Sequence, residues 1–253
     1  DQIIWWYSND INSNGPDWDS LTSGNKDEVD PNNGNSTISQ NQTIPNSQAT
    51  PGLQISNNVL AALASKERQS FDDVSQSIGA WAVEPVELLA GAGVLEGVDG
   101  KRFEPGRPIT RAEFTKILAM AFQLPAVDGK TPFTDVTGTE WYAGCVAAGA
   151  EAGLVQGYED QTFRPNSNIT REELAVILVR ALGLLDAPAP AGLNFTDAGL
   201  VSPWAKDSLA KVVAKGIAGG YPDGSFRPLE PVTRAECAAM FYRTLNQQYL
   251  QGE

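Results

Sequence analysis

The chain is predicted to be all-α, built of three tandem helix–loop–helix repeats, and three observations predict it. The first is spacing. Trp81 to Thr110, Trp141 to Thr170 and Trp204 to Thr233 are each 29 positions. Phe103, Phe163 and Phe226 each lie seven before their threonine, and Gly97, Gly157 and Gly220 sixteen after their tryptophan. A fixed internal period marks a repeat protein. The second is a capping box in each repeat: Thr110-Arg111-Ala112-Glu113, Thr170-Arg171-Glu172-Glu173 and Thr233-Arg234-Ala235-Glu236. The threonine hydroxyl accepts from the N3 amide while the glutamate reaches back to the threonine amide. The third is the apolar stripe that follows at helical spacing. It reads Phe114, Ile117, Leu118, Ala121 and Phe122, then Leu174, Ile177, Leu178, Ala181 and Leu182, then Cys237, Met240, Phe241 and Leu245, with Thr244 the odd member. No repeat can bury such a stripe alone. The three are therefore expected to pack around a pseudo-threefold axis as one cooperative domain over about residues 71–246.

Taken in order, residues 1–21 read as the tail of a domain missing upstream. Ile3-Ile4-Trp5-Trp6-Tyr7 is a β-prone run, with a turn at residues 12–17. An alternative is a sugar-binding aromatic patch of Trp5, Trp6, Tyr7 and Trp18. Residues 22–52, rich in Asn, Ser, Gln, Thr, Gly and Pro, cannot bury a core and read as a flexible linker. Residues 53–70 form a lead-in helix, capped by Ser56 and apolar at Val59, Leu60, Leu63 and Ala64. It should dock on the repeats, because so short a helix is marginal alone.

The repeats then span 71–132, 133–194 and 195–253. In each, the first helix should end at Gly93, Gly153 or Gly216, placed for a left-handed C-terminal cap. Pro85 fits the first helix only if it opens the regular part. Ser202 and Pro203 look like a cap and first residue for the corresponding helix of repeat three. Asp73, Asp135 and Asp197 are expected to tie the opening turn of each repeat to backbone amides. Asp160 and Asp223 lack the spacing of a calcium loop and read as turn residues.

Arginine follows the cap threonine in all three repeats, at Arg111, Arg171 and Arg234. A cation at a helix N-terminus opposes the dipole by about 0.3–1 kcal/mol. Free amides, the positive end of the dipole and a guanidinium fork would together hold a carboxylate or phosphate. On that reading the arginines serve a ligand, and their loss should leave folding nearly unchanged; the alternative is that each arginine only pairs with a nearby acid. The tryptophans Trp81, Trp141 and Trp204 are expected mainly to wedge each repeat's two helices together, with an indole face left for a sugar ring. Tyr158 and Tyr221, with Arg164 and Arg227, are loop candidates for the same ligand. Repeat one has Val98 and Glu104 in their places, so its groove is weakened unless Lys101, Arg102 or Arg107 compensates.

Phe133-Thr134-Asp135-Val136, Trp204-Ala205, the loop Gly220-Tyr221-Pro222-Asp223-Gly224-Ser225-Phe226-Arg227-Pro228 and Ile109-Thr110-Arg111-Ala112-Glu113 resemble the motifs of the S-layer homology module. Three copies cover residues 71 to about 246. The resemblance implies a three-pronged helical module around a central three-helix bundle. It also implies a bacterial cell-surface anchor whose inter-prong grooves hold an anionic secondary cell wall polysaccharide, often carrying a pyruvate ketal. S-layer neighbours are a further partner on this reading.

Composition bounds the alternatives. Acids number 31 against 18 Lys plus Arg, a net charge of −13. That argues against nucleic acid and requires any binding of a polyanion to be local. The chain has no histidine, which removes histidine-based triads, the usual zinc sets and histidine switching. Cys145 and Cys237 lie in different repeats; Cys237 reads as a buried thiol, Cys145 falls at a position of mixed character, and a disulfide between them stays open. No run of about 20 apolar residues exists to insert in a membrane. No basic region precedes an apolar run at the start, so the expectation is an export signal already removed or a piece of a longer chain. No nucleophile stands beside a base, and no pair of carboxylates is singled out by spacing. The expectation is therefore no catalysis, no metal and no cofactor. A glycan-active enzyme fragment and a purely structural S-layer self-assembly module are the alternatives.

Overall fold

The computed structural model describes residues 53–74, 80–125, 127–128 and 130–249. The readings for residues 1–52, both the upstream tail with its aromatic run and the linker, lie outside them. Seven α-helices are found among the described residues: α1 (Asn57–Ser65), α2 (Ala80–Gly91), α3 (Arg111–Ala121), α4 (Ala143–Glu151), α5 (Arg171–Ala181), α6 (Lys206–Ala214) and α7 (Arg234–Tyr249). A single 3₁₀ turn covers Ala198–Leu200. Repeats one, two and three own α2 and α3, α4 and α5, and α6 and α7.

The sequence-local features form as expected. Thr110 and Thr170 each close a full capping box at α3 and α5. At α7, Thr233 accepts from Glu236 N at 3.3 Å and its own amide donates to Glu236 Oε2 at 3.0 Å. Gly93, Gly153 and Gly216 sit at φ 68°, 68° and 66°. Val94, Leu154 and Ile217 then donate back to the carbonyls of Leu89, Gly149 and Val212, closing the cap. Pro85 lies inside α2 rather than opening it. The helix begins at Ala80, five residues before the proline. The Ser202–Pro203 start is also corrected, since α6 begins at Lys206 without a side-chain cap. Ser202 instead donates its hydroxyl and amide to Glu172 at 2.6 and 2.9 Å, tying repeat three to α5.

Each loop is built around a carboxylate. Asp135 accepts from the amides of Phe163 and Arg164, both at 2.7 Å, and Asp73 and Asp197 do the same for Phe103–Glu104 and Phe226–Arg227. This holds Glu104, Arg164 and Arg227 at φ 58°, 56° and 58°. The phenylalanine pairs Phe71–Phe103, Phe133–Phe163 and Phe195–Phe226 pack at centroid distances of 5.2–5.4 Å. A Cβ on Gly157 would stand 2.6 Å from the Phe133 ring and 2.6 Å from the Thr162 carbonyl oxygen, which explains the glycine there. In the turn, Gln161 takes φ 62° where repeat three has Gly224 at 81°. An L-residue in that region is strained by about 1–2 kcal/mol, partly offset by the entropy a glycine loses on folding. Gln161→Gly is expected to stabilise the protein by about 0.5 kcal/mol, read as a higher urea midpoint at unchanged slope.

The repeats do not pack as three separate hairpins. The dominant helix contacts run between repeats: α4 on α3, α6 on α5, and α2 on α7, which closes the circle. This corrects the picture of a tryptophan wedging its own repeat's helices together. Phe114 and Phe122 meet Phe241 of α7 edge to face at 6.2 and 6.1 Å. At the centre, the amide of Ile109 donates to Val232 O, that of Val232 to Ile169 O, and that of Ile169 to Ile109 O. This closed triangle of 2.9–3.1 Å bonds takes one residue from each repeat, and all three are at most 1% exposed. α1 caps the far side. Ser56 bonds Asn58 N and Val59 N, while the amides of Leu53 and Ser56 donate to the carbonyls of Ala181 and Ala121 at the ends of α5 and α3. Val59, Ala62 and Leu63 are buried and Ala64 is exposed, one turn position from the face the sequence suggested. Cys145 and Cys237 are both buried and in no disulfide among the described residues.

Candidate functional site

The three arginines after the caps are buried, with Arg111, Arg171 and Arg234 at 6%, 4% and 7% exposure. Each reaches into the loop of another repeat. Arg111 Nε donates to Phe163 O at 2.8 Å, Nη2 to Gln156 O at 2.8 Å, and Nη1 to Glu173 at 3.3 Å. Arg171 repeats the pattern on Phe226 O, Gly219 O and Glu236. Arg234 binds Phe103 O and Glu96 O of repeat one, both at 2.7 Å, with Glu113 at 4.0 Å. The guanidinium planes lie over Phe163, Phe226 and Phe103 at 4.7, 4.6 and 4.3 Å. Repeat one thus grips two, two grips three, and three grips one.

The expected free amides are absent. The amides of Arg111 and Ala112 donate to Ser167 O and Pro165 O, those of Arg171 and Glu172 to Glu230 O and Pro228 O, and those of Arg234 and Ala235 to Arg107 O and Pro105 O. No N-terminal donor of these first turns is left for an anion. The cation that opposes the dipole is there to close the ring of repeats, so the expectation that its loss spares the fold is also corrected.

An open cleft of about 340 Å³ lies where three repeats meet. Gln156, Gly157 and Tyr158 of the loop and Glu173, Val176, Ile177 and Arg180 of α5 form one wall, with Arg111 of repeat one and Trp204 of repeat three beside them. Glu173 is its acceptor hub. It takes the Tyr158 hydroxyl at 2.7 Å, the Thr170 amide at 2.8 Å and Arg111. Burial pushes the Tyr158 phenol well up, with Glu173 adding to it, so tyrosine remains the donor. In repeat three Tyr221 donates likewise to Glu236, and burial helps push it up to about 12. Arg180 donates to Leu154 O at 3.2 Å and to Gln156 Oε1 at 2.8 Å, with no carboxylate in ion-pair range among the described residues. Burial first, and the Arg111 charge second, bring it down to about 10.

The other sequence candidates are placed differently. Arg164 and Arg227 stack on Tyr158 and Tyr221 at 4.1 and 4.0 Å and pair with Asp160 and Asp223. They brace the tyrosines from the loop side, and Arg164 does not line the cleft. Trp81 is 47% exposed, whereas Trp141 and Trp204 are partly buried against the core. In repeat one Val98 is exposed, and Arg107 takes over the glutamate, reaching Glu113 at 2.6 Å. Of Lys101, Arg102 and Arg107, Arg107 is the one that reaches the cap glutamate of this repeat. Sequence reasoning missed Arg180 and its counterpart Arg243. Their signal was a charged residue ten positions after Thr170 and Thr233, where repeat one has Met120.

The turn carboxylates set the acid response. A hydrogen bond from the Arg102 side chain chiefly holds Asp99 at about 2. The hydroxyls of Thr162 and Ser225, followed by other loop donors, hold Asp160 and Asp223 there too. Burial raises Glu113, but Arg107 and the Thr110 amide leave it below its usual range. Glu172 runs the other way, raised by burial. A depressed carboxylate stabilises the fold fully above its unfolded value near 3.8 and loses that contribution as pH falls through its folded value. The unfolding midpoint should therefore drop between about pH 4 and about pH 2. A midpoint that rose across that interval would contradict the assignment.

Comparison with known proteins agrees with this architecture. The S-layer homology domain pattern matches residues 70–115, 132–175 and 194–238. The chain is 38% identical over 172 residues to the surface-layer 125 kDa protein of Lysinibacillus sphaericus, covering 66% of this chain and 14% of that protein. It is 31% identical over 191 residues to a cellulosome-anchoring protein of Acetivibrio thermocellus, 73% of this chain and 40% of that one. It is also 33% identical over 183 residues to the exoglucanase XynX of Acetivibrio thermocellus, 71% of this chain and 16% of that one. The chain thus spans less than half the length of these relatives. The chain belongs to the S-layer homology domain family, whose non-catalytic modules anchor proteins at the cell surface.

Proposed function

We propose that the three repeats bind an anionic secondary cell wall polysaccharide, pyruvylated on its sugars, through the grooves between repeats. The observation that carries this reading is the cleft at Arg111, Tyr158, Arg180 and Trp204. It brings two guanidiniums, a tyrosine and an indole to a concave surface on a protein of net charge −13. Long-range attraction to a polyanion is therefore weak, and recognition rests on local cations and stacking. By the spacing of the repeat, Arg171 corresponds to Arg111 with Tyr221 and Trp81 as its companions, and Arg234 corresponds with Trp141. Arg164 and Arg227 hold the loop tyrosines. The relatives support the anchor role. One segment recurs in proteins named as a surface-layer protein, a cellulosome anchor and an exoglucanase. A shared attachment module carrying different cargo fits that distribution.

The test is sedimentation of the chain with purified wall sacculi before and after mild acid has hydrolysed ketals. Saturable binding is expected before treatment, and at least a tenfold weaker association after it. Equal binding to both preparations would overturn the ketal as the recognised group. Saturable release of reducing sugar by residues 71–253 would overturn the non-catalytic reading.

A further inference from the structure

We propose that Glu172 is a proton-sensitive latch between repeats two and three: as the neutral acid it joins α5 to the chain entering α6 more firmly than it does as a carboxylate.

Alanine stands at the matching position of the other repeats, Ala112 and Ala235, so this side chain is peculiar to one junction. Glu172 is 2% exposed, and both its oxygens are taken by a single residue of repeat three. The Ser202 hydroxyl donates to Oε1 at 2.6 Å and the Ser202 amide to Oε2 at 2.9 Å. Both donors are neutral. A carboxylate offers about four acceptor sites, and one that is buried with neutral partners alone is costly to keep charged.

The charged groups around it do not relieve that cost. Glu173, next on α5, is a like charge and pushes Glu172 the same way as burial does. Arg171, just before it, is committed to Phe226 O, Gly219 O and Glu236. In the loop that meets the start of α5, Arg227 pairs with Asp223 and Glu230. Lys206 and Asp207, at the start of α6, are exposed. A helix N-terminus favours an anion, yet the first amides of α5 already donate to Glu230 O and Pro228 O. Burial accordingly raises Glu172 above its ordinary 4.5, against the pull of both Ser202 bonds.

Protonation keeps the geometry of the junction. Oε2 still accepts from the Ser202 amide, while a proton on Oε1 is donated to the Ser202 oxygen, so one bond reverses and the buried charge disappears. The folded value lies above the unfolded one. The contribution of the acid form is therefore fully present below about 4.5 and is lost as pH rises through the folded value. The depressed turn aspartates act in the opposite direction and in a lower interval, below their ordinary 3.8.

Two measurements on the full chain test the latch. A carbon-13 titration of the glutamate carboxyls, with Glu172 assigned through its backbone, is expected to give it a midpoint above 4.5. Ser202→Ala drops the hydroxyl, keeps the amide and should move that midpoint higher still. In urea, Glu172→Gln, a permanent likeness of the acid, should unfold at a higher midpoint than the parent at pH 7, with the gap narrowing toward pH 4.5. The aspartates contribute equally to both chains and cancel in the gap. A Glu172 midpoint at or below 4.5, or a gap that fails to narrow on acidification, overturns the latch. A midpoint that falls in Ser202→Ala overturns Ser202 as its partner. The titration is read on the parent chain, so the test stands even where a variant fails to fold.

Discussion

Arg171→Ala is expected to destabilise the whole module by about 3–5 kcal/mol, the range for removing one partner of a buried ion pair. The side chain is 4% exposed and carries bonds to Phe226 O, Gly219 O and Glu236. Truncation leaves two buried carbonyls without their donor and a carboxylate without its cation, and each such group costs about 1–3 kcal/mol or more. Because the bonds join repeat two to repeat three, the loss should appear as one cooperative transition at lower urea, not as local fraying. Arg111→Ala should behave alike, since its three partners are the equivalent groups one repeat earlier. Arg234→Ala should cost less, because its carboxylate partner Glu113 stands at 4.0 Å and is already held by Arg107. An unchanged urea midpoint for Arg171→Ala would refute the structural role. The consequence for binding work is practical. A motif-arginine variant that no longer sediments with sacculi reports lost fold before lost contact.

Asp135→Ala comes next, with an expected cost of about 3 kcal/mol from two hydrogen bonds to a charged acceptor. Both carboxylate oxygens are used, on Phe163 N and Arg164 N at 2.7 Å. Arg164 stands at φ 56°, a conformation strained for any residue but glycine, and its amide would lose its acceptor. Phe163 is 1% exposed, stacks on Phe133 and lends its carbonyl to Arg111, so the loop and the junction between repeats should loosen together. Asp135→Asn keeps one acceptor and turns the other group into a donor that faces an amide. It should lose roughly half as much or somewhat more. Thermal melts of the two variants, with Asp197→Ala as the matching change in repeat three, check this. Equal stability of Asp135→Ala and the parent would remove the carboxylate from its place as the organiser of the loop.

The features legible in the sequence are those whose donors and acceptors lie close along the chain. The capping boxes need four residues, and Thr170 and Glu173 supply both bonds within them. The left-handed caps need one glycine each, at Gly93, Gly153 and Gly216. The period of the repeat exposes what is constant, which is how Asp135 and its two counterparts could be assigned to backbone amides without coordinates. The apolar stripe of α5 declares a buried face, and Leu174, Leu178 and Ala181 are fully buried as it requires.

Partners far along the chain were not legible. Arg111 finds its carbonyl 52 residues on, Arg171 finds its own 55 on, and Arg234 reaches back 131. A sequence shows that such a donor exists and that the dipole disfavours it. It does not show which acceptor the packing will present, so a ligand and a neighbouring repeat look the same. The same holds for Arg180, whose significance comes from standing beside Arg111 and Trp204 of other repeats. By itself, then, the sequence determined the three helical units, their caps and their loops, because those rest on hydrogen bonds closed within one repeat. Only the tertiary structure decided that the first helix of each repeat packs on the second helix of the one before, that the motif arginines lock that ring, and that a different arginine faces the cleft. Those outcomes depend on which surfaces meet when three incomplete apolar faces are buried against one another.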